Sequence, residues 1–457
     1  MTAPSQSQTS TPHQVARLGE AVPRYTSYPT APHFHAGVNG ETYWSWLASI
    51  GNGEEISLYV HIPFCDRLCW FCACHTKQTQ RYEPVAAYLN ALHAEIATAG
   101  RLVGDRTHVR SVHFGGGSPT MLDPADIIAL DRAMRQAFNY LPGAEISVEI
   151  DPNDMDDARF DALAAIGLTR ASLGVQDFDP TVQRTINREQ SFEQTKAVVD
   201  GVRSRRVGSV NLDLLYGLPH QTVESVAATV RQALALAPDR IAPFGYAHVP
   251  WFKKHQTMID EGALPGPEER LAQAQCAAAV IADAGYTAVG LDHFARPEDS
   301  LAIAARTGRL RRNFQGYTDD GCETLIGLGP SSVSKLPAGY AQNITATGLY
   351  ERLVSRGRLA TARGIALTEE DRARAWVIER LMCDFAFSRS ELGAQFGDIG
   401  RKIVGEADCH IHNDEGLLER DGDVFAVANE NRALVRAVAA RFDPYLANGQ
   451  ARHSSAV

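Results

Sequence analysis

Tyr59-Val60-His61-Ile62-Pro63-Phe64-Cys65-Asp66-Arg67-Leu68-Cys69-Trp70-Phe71-Cys72-Ala73-Cys74 is the stretch on which the fold turns. It packs four of the chain's 8 cysteines into ten residues, as C-x3-C-x2-C-x-C. Three thiolates so spaced on one short loop can hold three irons of a [4Fe–4S] cube and leave the fourth iron without a protein ligand. Such an open iron can be chelated by the amino and carboxylate groups of S-adenosylmethionine (SAM). One-electron reduction of the sulfonium then releases a 5′-deoxyadenosyl radical. Zinc is the competing reading. Structural zinc sites usually pair two short knuckles across a longer gap, however, and no second C-x2-C occurs here. The other cysteines (Cys276, Cys322, Cys383 and Cys409) are scattered. Isolated cysteines of that kind are mostly small buried hydrophobes, and no role is assigned to them.

The loop is led by a strand-like run, Ser57–Ile62. Similar runs follow at Ser111–Phe114, Glu145–Ile150, Arg170–Val175, Val210–Leu215 and Ile241–Tyr246. Helix-like stretches, such as Pro84–Ala99, Ala125–Phe138 and Thr222–Leu236, lie between them, and Glu268–Ala284 follows the last. A spacing of roughly 25 to 50 residues is that of repeated βα units, which build a parallel sheet. Asp123-Pro124 reads as a helix start, with Asp as N-cap and Pro at the first helical position. Six units fit an α/β fold, a partial (β/α)6 barrel, with function gathered at the C-terminal ends of the strands.

A chain of 457 residues, 44% hydrophobic and 21% charged, has room for one large globular domain and a smaller one. No apolar run approaches the roughly 18 residues that span a bilayer, so no membrane association is expected. The net charge of −10 argues against broad nucleic-acid binding. The Ser/Thr/Gln-rich start reads as a disordered tail over 1–22, followed by an N-terminal strap over 23–56. The barrel with its extension is expected over 57–363. A smaller, mainly helical C-terminal domain is expected over 364–457, from helical Leu367–Cys383 and Arg389–Phe396, a hairpin-like turn at Gly416–Asp423 and a helix near Arg432–Tyr445. A winged helix-turn-helix would look similar, but the region is acidic and lacks a basic stripe. A lid or packing domain is expected instead. Reduced thiols suit a cytoplasmic protein, and the absence of an obvious exposed apolar helix makes a monomer the default.

Motifs beyond the loop, in order, are Arg24-Tyr25-Thr26-Ser27-Tyr28-Pro29-Thr30, Gly115-Gly116-Gly117-Ser118-Pro119-Thr120, Glu149-Ile150-Asp151-Pro152 and Gly174-Val175-Gln176-Asp177-Phe178. Asn187-Arg188-Glu189-Gln190, Asp213 to Pro219, Tyr246-Ala247-His248, Asp292 to Pro297 and Asn313 to Thr318 follow. Together, from about Arg24 to Leu446, they resemble the oxygen-independent coproporphyrinogen III oxidase family of radical-SAM enzymes. The resemblance implies oxidative decarboxylation of two propionates of coproporphyrinogen III to vinyls, giving protoporphyrinogen IX in anaerobic haem synthesis. It implies one [4Fe–4S] cluster, two SAM per turnover and an external flavodoxin- or ferredoxin-like one-electron donor.

Carried over residue by residue, the resemblance makes Cys65, Cys69 and Cys72 the cluster ligands. Cys74 is left unligated and near the substrate or the electron path; its bland reading is a space-filling neighbour. Tyr59 and Phe71 are placed against SAM, although either could simply pack at the barrel mouth. Gly116, Gly117 and Ser118 look like the glycine turn that holds the SAM amino group, and Glu149 the carboxylate on its ribose. Val333 corresponds to a residue whose backbone touches the adenine; an ordinary core valine is the alternative. Gln176, Arg188, Asp213 and Ala247 match residues that bind a second SAM, with a structural ion pair as the plain alternative for Arg188. His293, Arg296 and Arg312 are weaker candidates for propionate contacts. Four propionates entering an acidic protein require a locally basic pocket. Two rivals share the scaffold. One is a haem-chaperone relative, which lacks cysteine at the position of Cys74 and the Tyr-Thr-Ser-Tyr-Pro-Thr strap. The other is a radical-SAM methyltransferase or haem-degrading enzyme.

Overall fold

The structure, a computed structural model, describes residues 21–413 and 416–448. Most of the expected tail therefore lies outside the described residues, although Val22 is buried. The frame is a 12-stranded sheet. β1 (Glu54–Ile62), β2 (Thr107–Gly116), β3 (Tyr140–Ile150), β4 (Arg170–Gln176), β5 (Ser209–Tyr216) and β6 (Arg240–Gly245) lie side by side in chain order, all parallel. These are the six strands read from the sequence, in an arc that does not close. A seventh parallel strand, β7 (Thr324–Leu328), pairs with the other side of β1. Its Thr-Leu-Ile-Gly-Leu is too short to announce itself as a separate unit. Beyond β7 the sheet continues through antiparallel Val333–Leu336, Gly339–Asn343 and Thr361–Ala366. The last of these strands runs across the boundary expected at 364.

The strands form because apolar and polar residues alternate along them. Along β4 and β5 every second residue is buried. Ala171, Leu173, Val210 and Leu212 join Leu58, Val60, Val112 and Val148 in one core with side chains of the helices Glu83–Val103 and Pro124–Ala137. The residues between them, among them Ser172, Asn211 and Asp213, face the inner side. The helix-like stretches named between and after these strands form helices within a few residues of their expected ends, and Asp157–Ala165 and Phe192–Ser204 add helices that were not expected. Asp123 and Pro124 hold the N-cap and first helical positions, but Asp123 makes no side-chain capping bond. Its N–H donates to the Tyr82 hydroxyl at 2.9 Å instead.

The C-terminal region has a separate core around Val377, Leu381, Phe387, Phe425 and Phe442, which also takes in Tyr25 and Tyr28 of the strap. Helix Glu369–Asp384 is followed by Arg389–Asn413, which breaks at Gly397 (φ 54°) just after the expected end at Phe396. The hairpin is formed by Leu418–Asp421 and Val424–Val427, and Ala386–Ser388 adds a third strand. The final helix is two short ones, Val435–Ala440 and Pro444–Asn448. Among the described residues no helix is long and apolar enough to cross a membrane.

Candidate active site

Because β1 to β7 are parallel, all seven C-terminal ends open on one side of the sheet. The cysteine loop leaves β1 there, and three neighbouring segments hold it by its backbone. At its base, Lys77 N–H donates to Pro63 O (2.7 Å) and Thr79 N–H to Cys65 O (2.9 Å). The segment after β4 grips the middle: Trp70 N–H donates to Ile186 O (2.9 Å) and Asn187 Nδ2 to Leu68 O (2.9 Å). The segment after β6 grips the far end, where Gln256 Nε2 donates to Phe71 O (2.8 Å) and Lys253 Nζ to Cys74 O (2.8 Å). His255 Nε2 lies 2.6 Å from Cys72 O. Four thiols are thereby fixed on a loop that has almost no regular structure of its own.

Among the described residues, no group of three His, Cys, Asp or Glu side chains converges as a single metal ion requires. Yet Cys65, Cys69 and Cys72 are near neighbours: burial pushes the Cys65 thiol up, and the charges of Cys72 and Cys69 push it further. One zinc ion would draw its thiolates to bonds of about 2.3 Å from a common point. A cube presents its irons at separate corners, and three neighbouring thiols on one short loop fit that donor set. Cys69 is buried; burial raises its thiol while Arg188 Nη1, 3.5 Å from its Sγ, favours the thiolate. Cys74 leans on Cys72 and donates its N–H to the Cys72 Sγ at 3.4 Å. Hydrogen bonding from Cys74 brings the Cys72 thiol down to about 7 against the effect of burial.

The turn after β2 lies against the base of this loop. Gly117 N–H donates to Ile62 O and Ser118 N–H to Phe64 O, both at 2.7 Å. A Cβ on Gly117 would stand 2.4 Å from Phe64 O, so only glycine permits the approach. Gly116 has φ +113°, with the His61 ring where a side chain would go. Its N–H donates to Glu149 Oε2 at 2.9 Å, and His113 Nε2 lies 3.2 Å from Glu149 Oε1. Burial works to raise the Glu149 carboxyl, but His113, the Gly116 N–H and His61 hold it below the usual range. Burial also pushes His61 down to about 4. A neutral His61 can donate Nε2–H to His75 O (2.9 Å) and accept at Nδ1 from the Tyr59 hydroxyl (3.0 Å). The Tyr59 ring stacks on His113 at 5.9 Å and 14°.

The other nominated residues ring the same opening. Gln176 ends β4 with φ +68°, a conformation that non-glycine residues seldom take outside special sites. Asp213 on β5 accepts from Ser172 Oγ (3.0 Å) and Asn211 Nδ2 (2.8 Å); burial raises its carboxyl, partly offset by those bonds. Arg188 is paired with Asp151 (3.0 Å) and donates to Gly174 O (2.6 Å), while its buried Nε has no partner among the described residues. Ala247 O accepts from Gln256 Nε2 at 3.2 Å. Phe71 packs beside Val182, Ile186 and Tyr246. Val333 opens the strand that follows the turn after β7, and Gly329 of that turn lies against His61. One weaker candidate is misplaced. Arg296 donates to Pro238 O and Ala237 O, at the opposite end of β6 from the mouth. His293 lies near enough to act on the Asp213 charge, and both His293 and Arg312 pack on the Tyr317 ring.

His113 and the Lys253–Gln256 segment were not singled out in the sequence, and Asp151 was named only within the Glu149–Pro152 motif, without a role. A histidine between apolar residues on a strand is a usable signal for His113. The Lys253–Gln256 segment has none, since it acts through backbone carbonyls far away in the chain.

The sequence profile of the Radical SAM superfamily matches residues 59–233. The oxygen-independent coproporphyrinogen III oxidase of Bradyrhizobium diazoefficiens is 50% identical over 446 residues, covering 96% of this chain and 98% of that protein. The enzyme of the same name from Escherichia coli is 40% identical over 427 residues, 93% of each. The solved structure of the coproporphyrinogen III oxidase from Escherichia coli, described as a radical SAM enzyme, matches with a TM-score of 0.88 at 39% identity. The match covers 92% of this chain and 97% of that one.

Proposed function

The chain belongs to the oxygen-independent coproporphyrinogen III oxidase family of radical SAM enzymes, and on that premise we propose how its residues carry out the reaction. The reaction is the oxidative decarboxylation of two propionates of coproporphyrinogen III to vinyls, giving protoporphyrinogen IX for haem synthesis. A [4Fe–4S] cluster and SAM, when bound, supply a radical that removes a hydrogen from the propionate β-carbon. Each propionate then loses carbon dioxide and passes one further electron to an external one-electron acceptor, so two SAM are consumed per product.

The observation that carries this reading is the meeting of the cysteine loop, the Gly116–Ser118 turn and Glu149 at the ends of β1, β2 and β3. Cys65, Cys69 and Cys72 hold the cluster. Gly116, Gly117 and Ser118 take the SAM amino group, Glu149 its ribose, and Tyr59, Phe71 and Val333 line its remaining faces. Gln176, Arg188, Asp213 and Ala247, at or beyond the ends of β4 to β6, hold a second SAM. The Arg188–Asp151 pair fixes the guanidinium within reach of that site. Cys74, the most exposed of the four cysteine residues, stays unligated and close to the substrate. The barrel excludes water and oxygen from a radical that attacks nearly any C–H bond within reach. Electrons come from a flavodoxin- or ferredoxin-like donor. A monomer in the cytoplasm, where thiols stay reduced, completes the reading.

The test is an anaerobic assay of iron-reconstituted protein with SAM, dithionite and coproporphyrinogen III, following 5′-deoxyadenosine and tetrapyrroles by mass. About two 5′-deoxyadenosines per protoporphyrinogen are expected. Cys74→Ser should keep the cluster's charge-transfer absorbance while impairing turnover. SAM cleavage without decarboxylated product would overturn the substrate, and loss of iron from Cys74→Ser would overturn the ligand set.

A further inference from the structure

Four arginines far apart in the sequence (Arg24, Arg270, Arg312 and Arg436) gather beside the ends of β5 and β6. Arg24 Nη2 donates to Gly245 O at 2.8 Å, and Arg270 Nη2 to the adjacent Tyr246 O at 2.7 Å. Arg312 Nη2 donates to Arg24 O at 3.2 Å, and Arg436 Nε to Pro23 O at 3.0 Å. The strap is thus threaded through the cluster and carries one of its charges. Arg312 lies over the Tyr317 ring at 4.4 Å. Its Nε and Nη1 are buried and have no hydrogen-bond partner among the described residues.

Among the described residues, the Asp292 carboxylate faces this group. Asp292, bonded to His293 at 2.8 Å, is held down to about 2 by His293, Arg312 and Arg24 against its own burial. Burial, with Arg24 and Arg312 nearby, pushes Arg436 down to about 9. Arg24 and Arg312 share Asp292 as their acidic neighbour, and the two unpartnered N–H groups of Arg312 call for an anionic partner. Asp213 feels the charge of His293, so the cluster adjoins the inner face of the barrel. Arg24 keeps exposed surface, although it is surrounded by these groups.

We infer that Arg24 and Arg312, with Arg436 behind them, form the subsite that receives propionate carboxylates of the substrate. This rests on the substrate assigned above. It explains how an acidic chain admits a tetra-anion: the positive charge is concentrated where the strap meets the end of β6. Arginine suits the task, since its fork pairs both oxygens of a carboxylate. Arg312, with two idle N–H groups, sets the anchoring point. Arg24, mounted on the strap, ties binding to the strap's position.

The test titrates the reconstituted holoenzyme with coproporphyrin III, the stable oxidised form of the substrate, by fluorescence. It also measures KM for coproporphyrinogen III. Arg24→Gln and Arg312→Gln should each raise Kd and KM about tenfold or more, and Arg312→Lys should recover part of the loss. Cluster absorbance and SAM affinity should not move. Kd and KM within twofold of wild type in both glutamine variants would overturn the subsite. If Arg312→Gln does not fold, Arg24→Gln, at an exposed side chain, decides alone. Failure of the wild-type enzyme itself to decarboxylate coproporphyrinogen III would strike the substrate assignment. Normal wild-type turnover with unaffected variants would strike only the subsite.

Discussion

On β4 and β5 alternate residues live in different surroundings. Ala171, Leu173, Val210 and Leu212 have no exposed surface and pack in the core shared with the helices. Between them, Ser172, Asn211 and Asp213 bond to one another on the inner face, with Asn211 Nδ2 2.8 Å from Ser172 Oγ. The contrast runs round the sheet. Outside are Leu58, Val60, Val112 and Val148. Inside, Tyr59 stacks on His113, His113 Nδ1 meets Ser147 Oγ at 2.6 Å, and Ser111 Oγ donates to Asp320 at 2.8 Å. A closed eight-stranded barrel fills its interior with apolar layers. Here the inner face is a polar network, which orients groups toward a ligand and leaves stability to the outer face. Substitutions on the two faces should therefore fail in different ways.

The sharpest contrast is Glu149→Gln, on the inner face. It should lower kcat by about 10²-fold, the scale of a misplaced reactant, while the melting temperature stays within a degree or two. A large fall in melting temperature would place Glu149 among the structural residues and blur the two faces. Leu212→Ala, one residue before Asp213 but on the outer face, should do the reverse. A stability loss of about 3 kcal/mol in urea is expected, from lost burial and a residual cavity, with kcat of the folded fraction unchanged.

The smallest effect concerns charge near the mouth. Asp154, which accepts from Ser118 Oγ, is raised to about 6 by burial and by Asp151. Raised above its unfolded value, it contributes stability that is complete below pH 3.8 and is lost as pH rises through about 6. The difference is about 3 kcal/mol. Asp154→Asn should flatten urea midpoints of the apoprotein between pH 4.5 and 6.5. An unchanged slope would mean that charge near the mouth carries no cost in stability.

Much of this was legible along the chain, for physical reasons that can be named. Strand alternation sets β1 to β6, because side chains of a strand point to opposite faces in turn. The cysteine loop is legible from its spacing, because four thiols within ten residues need no other part of the chain to meet. The Gly115–Gly117 turn is likewise local. β7 was missed because a five-residue apolar strand carries little period of its own. Arg296 went astray because a matched motif does not say toward which end of a strand its side chain runs.

By itself, then, the sequence determined what short-range geometry controls: the strands, their two faces, the cysteine loop and the glycine turn beside it. Tertiary structure alone decided which distant groups share a space. Lys253 to Gln256 hold the cysteine loop across roughly 180 residues of chain, and Arg24 meets Arg312 and Arg436 across 288 and more. Such approaches have no period to read. They follow from how the parallel strands align their ends and where the strap crosses them.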